Sequence, residues 1–170
     1  LKGLRQRKQC RAESNVDVDS EICPSLFASS GSIGVVDLGA SQTVIGSQQV
    51  PELLSQLPDW VRKQVKRVPC HLIFRFGNHQ TLVSRHALLL PLGSQRFQIA
   101  VVEGPTPFLI SSKFLKGIKA VIDTDLDVMW SKQLNRNLKI TRTAKNLILM
   151  DLNQLWESPE TSSQLSFHVE

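Results

Sequence analysis

At 170 residues, 41% of them hydrophobic and 21% charged, the chain has the composition of one globular domain, long enough to bury a core without disulfide or metal staples. No apolar run approaches the roughly 20 residues that a membrane-spanning helix needs. The first dozen residues are polar and basic, which excludes a secretory signal there. The formal net charge of +5 belongs to the leader, because Lys2, Arg5, Arg7, Lys8 and Arg11 all precede the first acid, Glu13. The rest of the chain is balanced, so the leader reads first as a solvated flexible arm, with a weak nucleic-acid contact by that leader as the lesser alternative and none expected of the folded domain.

The chain opens on Leu1 and not on a methionine, as a piece of a longer polypeptide would. Cys10, Cys23 and Cys70 make an odd count, which suits a reducing, intracellular setting better than a disulfide framework. His71, His79, His86 and His168 are scattered without metal-ligand spacing, so no metal and no cofactor is expected.

Residues 1–30 read as a flexible leader rich in charge, Ser, Gln and Asn, closed by turn chemistry at Ser29-Ser30-Gly31-Ser32. Ile33-Gly34-Val35-Val36-Asp37-Leu38 is a β-branched run entering a tight turn at Gly39, and Thr43-Val44-Ile45 resumes extended character. Leu53, Leu54, Leu57, Trp60, Val61 and Val65 recur at three- and four-residue steps, which predicts an amphipathic helix over 51–67, broken at Pro58. Lys63, Lys66 and Arg67 read as its solvated, dipole-compatible end.

After Pro69 the pattern changes to strands. Leu72 to Phe76 and Thr81 to Leu92 flank a Gly77-Asn78 turn and predict a long hairpin. A second turn follows at Pro91 to Gln95, then a strand through Phe97, Ile99 and Val101 that is apolar on both faces at its far end. Leu109-Ile110 is a further short apolar strand and 112–118 a short helix. Lys119 to Asp123, Leu138 to Thr141 and Leu147 to Met150 are the last strands. Asp123 to Asp127 lacks the glycine and terminal glutamate of a calcium loop and reads as a solvated turn. Trp60 and Trp130 are expected to pack in the core or against a tail. Residues 157–170 turn to Ser, Glu and Gln and read as a flexible tail.

Three landmarks occur in order: the strand delivering Asp37-Leu38-Gly39-Ala40-Ser41, the hairpin around Phe76-Gly77-Asn78-His79, and Phe108-Leu109-Ile110-Ser111 followed by Phe114 to Asp123. This set resembles the retropepsin family, above all the proteases of copia-type retrotransposon polyproteins. The resemblance implies a mostly β, closed-barrel acid-protease fold over 31–156, with one inserted helix and one short helix. It implies an aspartic endopeptidase that processes its own polyprotein, in the cytoplasm or within a retrotransposon particle.

Such chemistry needs two carboxylates sharing one proton, one activating water while the other polarises the scissile carbonyl. The sequence holds one Asp-x-Gly, so the resemblance implies a homodimer in which each chain gives one Asp37. Leu38, Gly39, Ala40 and Ser41 would form the active-site loop, Phe76, Gly77, Asn78 and His79 the flap over a peptide substrate, and Leu109, Ile110 and Ser111 the second apolar strand. Gly39 is expected where a Cβ would crowd the carboxylate. The chain departs from the family at Leu38, where Thr or Ser is usual, at Ser111, where Gly is frequent, and at Lys113, where Arg is frequent. The missing hydroxyl at position 38 supports an alternative expectation, a non-cleaving retropepsin fold that dimerises or binds peptide.

Overall fold

A computed structural model describes residues 31–76 and 79–157. The leader, the Gly77-Asn78 turn and the tail beyond Glu157 lie outside the described residues. The described residues form ten strands, three short α-helices and two single 3-10 turns. Strand β1 (Ile33–Asp37) leads to β2 (Val44–Gly46), helices α1 (Val50–Gln56) and α2 (Asp59–Arg62), and the long hairpin β3 (Lys66–Arg75) and β4 (Thr81–Leu92). Next come β5 (Gln95–Val102), β6 (Leu109–Ser111), α3 (Ser112–Gly117), β7 (Ala120–Asp123), β8 (Val128–Ser131), β9 (Arg136–Arg142) and β10 (Ile148–Asp151).

All ten strands join one mixed sheet in the order β3-β4-β5-β2-β6-β1-β10-β9-β8-β7. The order is linear. β3 and β7 are its two edges and no pairing joins them, so the expected closed barrel is corrected to an open mixed sheet among the described residues. β9 gives Ile140–Arg142 to β10 and Arg136–Lys139 to β8, so the β7–β8 hairpin is offset along the strand and carries the edge away from the rest of the sheet.

The helix expected over 51–67 forms and breaks at Leu57-Pro58, where both residues are extended. Its stripe of Leu53, Leu57 and Val61 is buried against Leu88, Leu90, Ile99 and Ile110. The helical reading ends too late, because β3 already begins at Lys66 and runs through Pro69. Proline has no N–H for a ladder, so a strand tolerates it at an edge or a bulge, and Pro69 has both: β3 is an edge and its register shifts between Pro69 and Leu72.

The far end of β5 is apolar on both faces because two clusters flank it. Ile99 and Val101 enter the main core, while Ala100 and Val102 meet Val44, Cys70 and Ala87. Trp60 and Trp130 do not pack inside, being 51% and 37% exposed. Trp156 is the packed indole, stacked on Phe97 with ring centroids 6.2 Å apart and its Nε1 donating to the Pro91 carbonyl at 2.8 Å. Among the described residues no helix is long and apolar enough to cross a membrane.

Candidate active site

Asp37 ends β1, the strand held between β6 in parallel and β10 in antiparallel register. Gly34 permits that packing: a Cβ there would stand 2.7 Å from the Ile110 side chain and 2.9 Å from Phe108. Beyond the strand the chain turns back on the carboxylate. Asp37 Oδ1 accepts the Gly39 N–H at 2.8 Å and the Ala40 N–H at 3.2 Å, so one oxygen is fixed by backbone donors. Oδ2 has no hydrogen-bond partner among the described residues. A Cβ on Gly39 would come within 3.2 Å of Oδ1, which makes crowding by the carboxylate the demand on that position.

The loop after Asp37 is strapped to the start of α3. Asp37 lies opposite Ser111 in the parallel ladder. The Ser112 N–H and hydroxyl both donate to the Ala40 carbonyl at 3.1 Å, and Lys113 Nζ reaches Gln42 Oε1 at 3.4 Å. Below them the Thr43 and Ser111 hydroxyls lie 3.0 Å apart, and the Ser111 N–H donates to Thr43 Oγ1 at 3.2 Å. Ser111 Oγ also accepts the Phe114 N–H at 3.2 Å, capping α3. Asp37, Leu38, Gly39, Ala40, Ser41 and the Leu109-Ile110-Ser111 strand are thus brought together. Thr43 and Ser112 belong to the same unit but were not singled out by sequence, since an isolated hydroxyl carries no spacing signal.

The described part of the hairpin tip is closed by its own backbone bonds. The Phe76 N–H donates to the Gln80 carbonyl and the His79 N–H to the Phe76 carbonyl, with His79 in the left-handed region at φ 64°. No hydrogen bond links Phe76 or His79 to the Asp37 loop among the described residues, and Gly77 and Asn78 lie outside them. The inner face of the hairpin is apolar: Leu72, Phe74 and Leu82 pack on the cluster that holds Val44 and Ala100, with Leu109 beside them.

Leu38 turns outward and is 65% exposed. It lines an open cleft of about 610 Å³ with Leu115, Ala120 and Ile122, rimmed by Lys116, Lys119 and Lys132. These lysines have no carboxylate partner among the described residues. Elsewhere, at the base of the hairpin, burial and then the nearby Arg67 charge hold the His86 imidazole below its usual pKa, with Glu103 opposing them. No group of three His, Cys, Asp or Glu side chains placed to hold a metal occurs among the described residues.

Asp37 is therefore a carboxylate with one oxygen fixed by backbone donors and the other without a partner among the described residues, on a loop beside an exposed leucine. Compared with known proteins, the sequence matches no protein-family model and no curated protein sequence.

Proposed function

We propose that this chain is a retropepsin-like aspartic endopeptidase that acts as a homodimer, each copy contributing Asp37 to a carboxylate pair that activates water. The observation that carries the reading is the carboxylate itself: Oδ1 is held by the Gly39 and Ala40 N–H groups while Oδ2 has no partner among the described residues, on a loop clamped to Ser111 and Ser112. That arrangement fixes the orientation of a general base and leaves an oxygen for water. A lone carboxylate cannot also supply the acid, and the exposed Leu38 beside the β7 edge, unpaired among the described residues, supports a second copy as its source. The apolar inner face of the β3–β4 hairpin supports an extended peptide as substrate, with Phe76 to His79 as the flap.

A second reading rests on Leu38. An exposed leucine gives no hydroxyl to tie two active-site loops together, which favours a copy of the fold that dimerises or binds peptide without cutting.

The test is hydrolysis of a mixed peptide library between about pH 4 and 7. Activity that rises more steeply than first order in protein and vanishes with Asp37→Asn is expected. Activity that survives Asp37→Asn sinks the mechanism. No activity in a sample shown by sedimentation to be dimeric favours the second reading.

A further inference from the structure

Strand β7 carries opposite charges at its two ends. Before it stand Lys116 and Lys119, with Lys132 across the hairpin, around the apolar cleft of Leu38, Leu115 and Ile122. The strand ends on Asp123, and the turn to β8 carries Asp125 and then Leu126, which is 74% exposed. Asp123 Oδ1 accepts the Asp125 and Leu126 N–H groups at 2.9 and 3.0 Å, so the turn is a built one that presents its leucine outward. Neither Asp123 nor Asp125 has a cationic partner among the described residues, whereas Asp127 is engaged by Arg142. Between the ends, β7 is a sheet edge with no partner on one side among the described residues, and Val121 is 51% exposed next to its cross-strand neighbour Trp130.

An open strand edge with apolar side chains invites pairing with another chain. A strand that is positive at its start and negative at its end complements a second copy of itself only when the two run antiparallel about a twofold axis.

We propose that two copies of this chain join along their β7 edges, antiparallel, with the lysine-rimmed cleft of each receiving the Asp123–Leu126 turn of the other. Lys119 of one copy then faces Asp123 and Asp125 of its mate, and the exposed Leu126 enters the cleft beside Leu38. Because Leu38 follows Asp37, this pairing draws the two carboxylate loops toward the same axis. The inference rests on the homodimer reading above and adds the surface, the register sense and the charges that select the mate.

Sedimentation velocity on the full chain carrying Asp37→Asn, which keeps self-cleavage out of the measurement, tests the interface separately from the chemistry. Lys119→Glu alone and Asp125→Lys alone each set like charges against one another at both symmetric contacts, so each is expected to weaken dimerisation at least tenfold. An equimolar mixture restores one reversed and one native contact per heterodimer and is expected to dimerise within about threefold of the parent. Both sites are exposed, and a circular dichroism spectrum equal to the parent's checks that each variant folds. Single variants that dimerise like the parent, a mixture no better than either alone, or a parent that stays monomeric throughout would overturn the proposal. A rescued mixture whose Asp37-containing counterpart cleaves no peptide would leave this interface standing and remove only the peptidase reading.

Discussion

Thr43 Oγ1 and Ser111 Oγ lie 3.0 Å apart, both residues buried, and join the far end of the Asp37 loop to the first turn of α3. Ser111 Oγ also caps the Phe114 N–H, so one hydroxyl serves the loop and the helix together. Ser111→Ala removes the cap and the hydroxyl–hydroxyl bond, while Thr43 Oγ1 keeps the residue-111 N–H. Losing such a cap costs about 1 kcal/mol, and losing one net hydrogen bond costs about 0.5–1.5 kcal/mol. Urea denaturation is expected to show a loss of roughly 2 kcal/mol with an unchanged slope, the signature of a native-state defect.

On the proposed reading Asp37 has two separable duties. Its Oδ1 holds the turn through Gly39 and Ala40, and its other oxygen would activate water. Asn offers the same acceptor to the turn but cannot act as a base, so Asp37→Asn is expected to keep the folded-state stability within about 0.5 kcal/mol while peptide hydrolysis falls by about 10²–10⁴. Asp37→Ala loses both duties and is expected to be less stable by about 1 kcal/mol. Thermal melts of the two variants, read beside their activities, separate the roles.

The legible parts of this molecule are those written in local pattern. The strand into Asp37, the helix break at Pro58 and the β3–β4 hairpin follow from β-branched runs, three- and four-residue spacing and alternation, which act within a few neighbours. What was not legible depends on distant partners. Thr43 and Ser111 are 68 residues apart and meet only because β6 lies beside β1 and β2. Pro69 reads as the start of a strand, yet β3 runs through it, since only an edge position makes the missing N–H harmless. The open ladder likewise depends on how β9 divides its pairing, which no residue of β9 announces. Trp60 and Trp130 look like core residues by size, yet they are 51% and 37% exposed, Trp60 on a short helix and Trp130 on a strand of the β7–β8 hairpin at the sheet's edge.

His86 links the hairpin base to pH. Its folded-state pKa is lowered from the ordinary 6.5, by burial first and by Arg67 second. The neutral imidazole is therefore favoured by folding, and its contribution is fully present above pH 6.5 and lost as pH falls through the lowered folded value. Arg67→Gln is expected to move the His86 titration up, toward its ordinary value, and Glu103→Gln to move it further down. Proton NMR of the imidazole across pH 4–8 reads both directions. Shifts of the opposite sign would contradict the assigned neighbours.

Gly46 stands where the backbone of the Gly104–Thr106 turn crosses β2. A Cβ there would meet the Gly104 carbonyl oxygen at 2.4 Å and the Thr106 nitrogen at 2.5 Å, both backbone atoms that cannot swing aside. The same crossing carries the Gly46 N–H to the Thr106 carbonyl at 2.8 Å. Gly46→Ala is expected to cost about 1–3 kcal/mol through overpacking. Gly117→Ala, where an added Cβ meets nothing within 4 Å, is expected to be far milder, and chemical denaturation of the pair gives the comparison.

Leu38 separates the two functional readings. Its side chain is 65% exposed and makes no buried contact in one chain that a substitution would break, so Leu38→Thr is expected to change monomer stability by less than about 0.5 kcal/mol. In a dimer with paired Asp37 loops, a hydroxyl at this position can donate across the axis and hold both carboxylates in place. A net gain of about 1 kcal/mol from such a bond would raise kcat several-fold if it were realised only in the aligned pair. Steady-state hydrolysis at protein concentrations above the dimer midpoint is the measurement. A several-fold rise in kcat at unchanged dimer affinity identifies loop alignment as the deficit left by leucine. Tighter dimers with unchanged kcat would mean that the hydroxyl serves assembly alone.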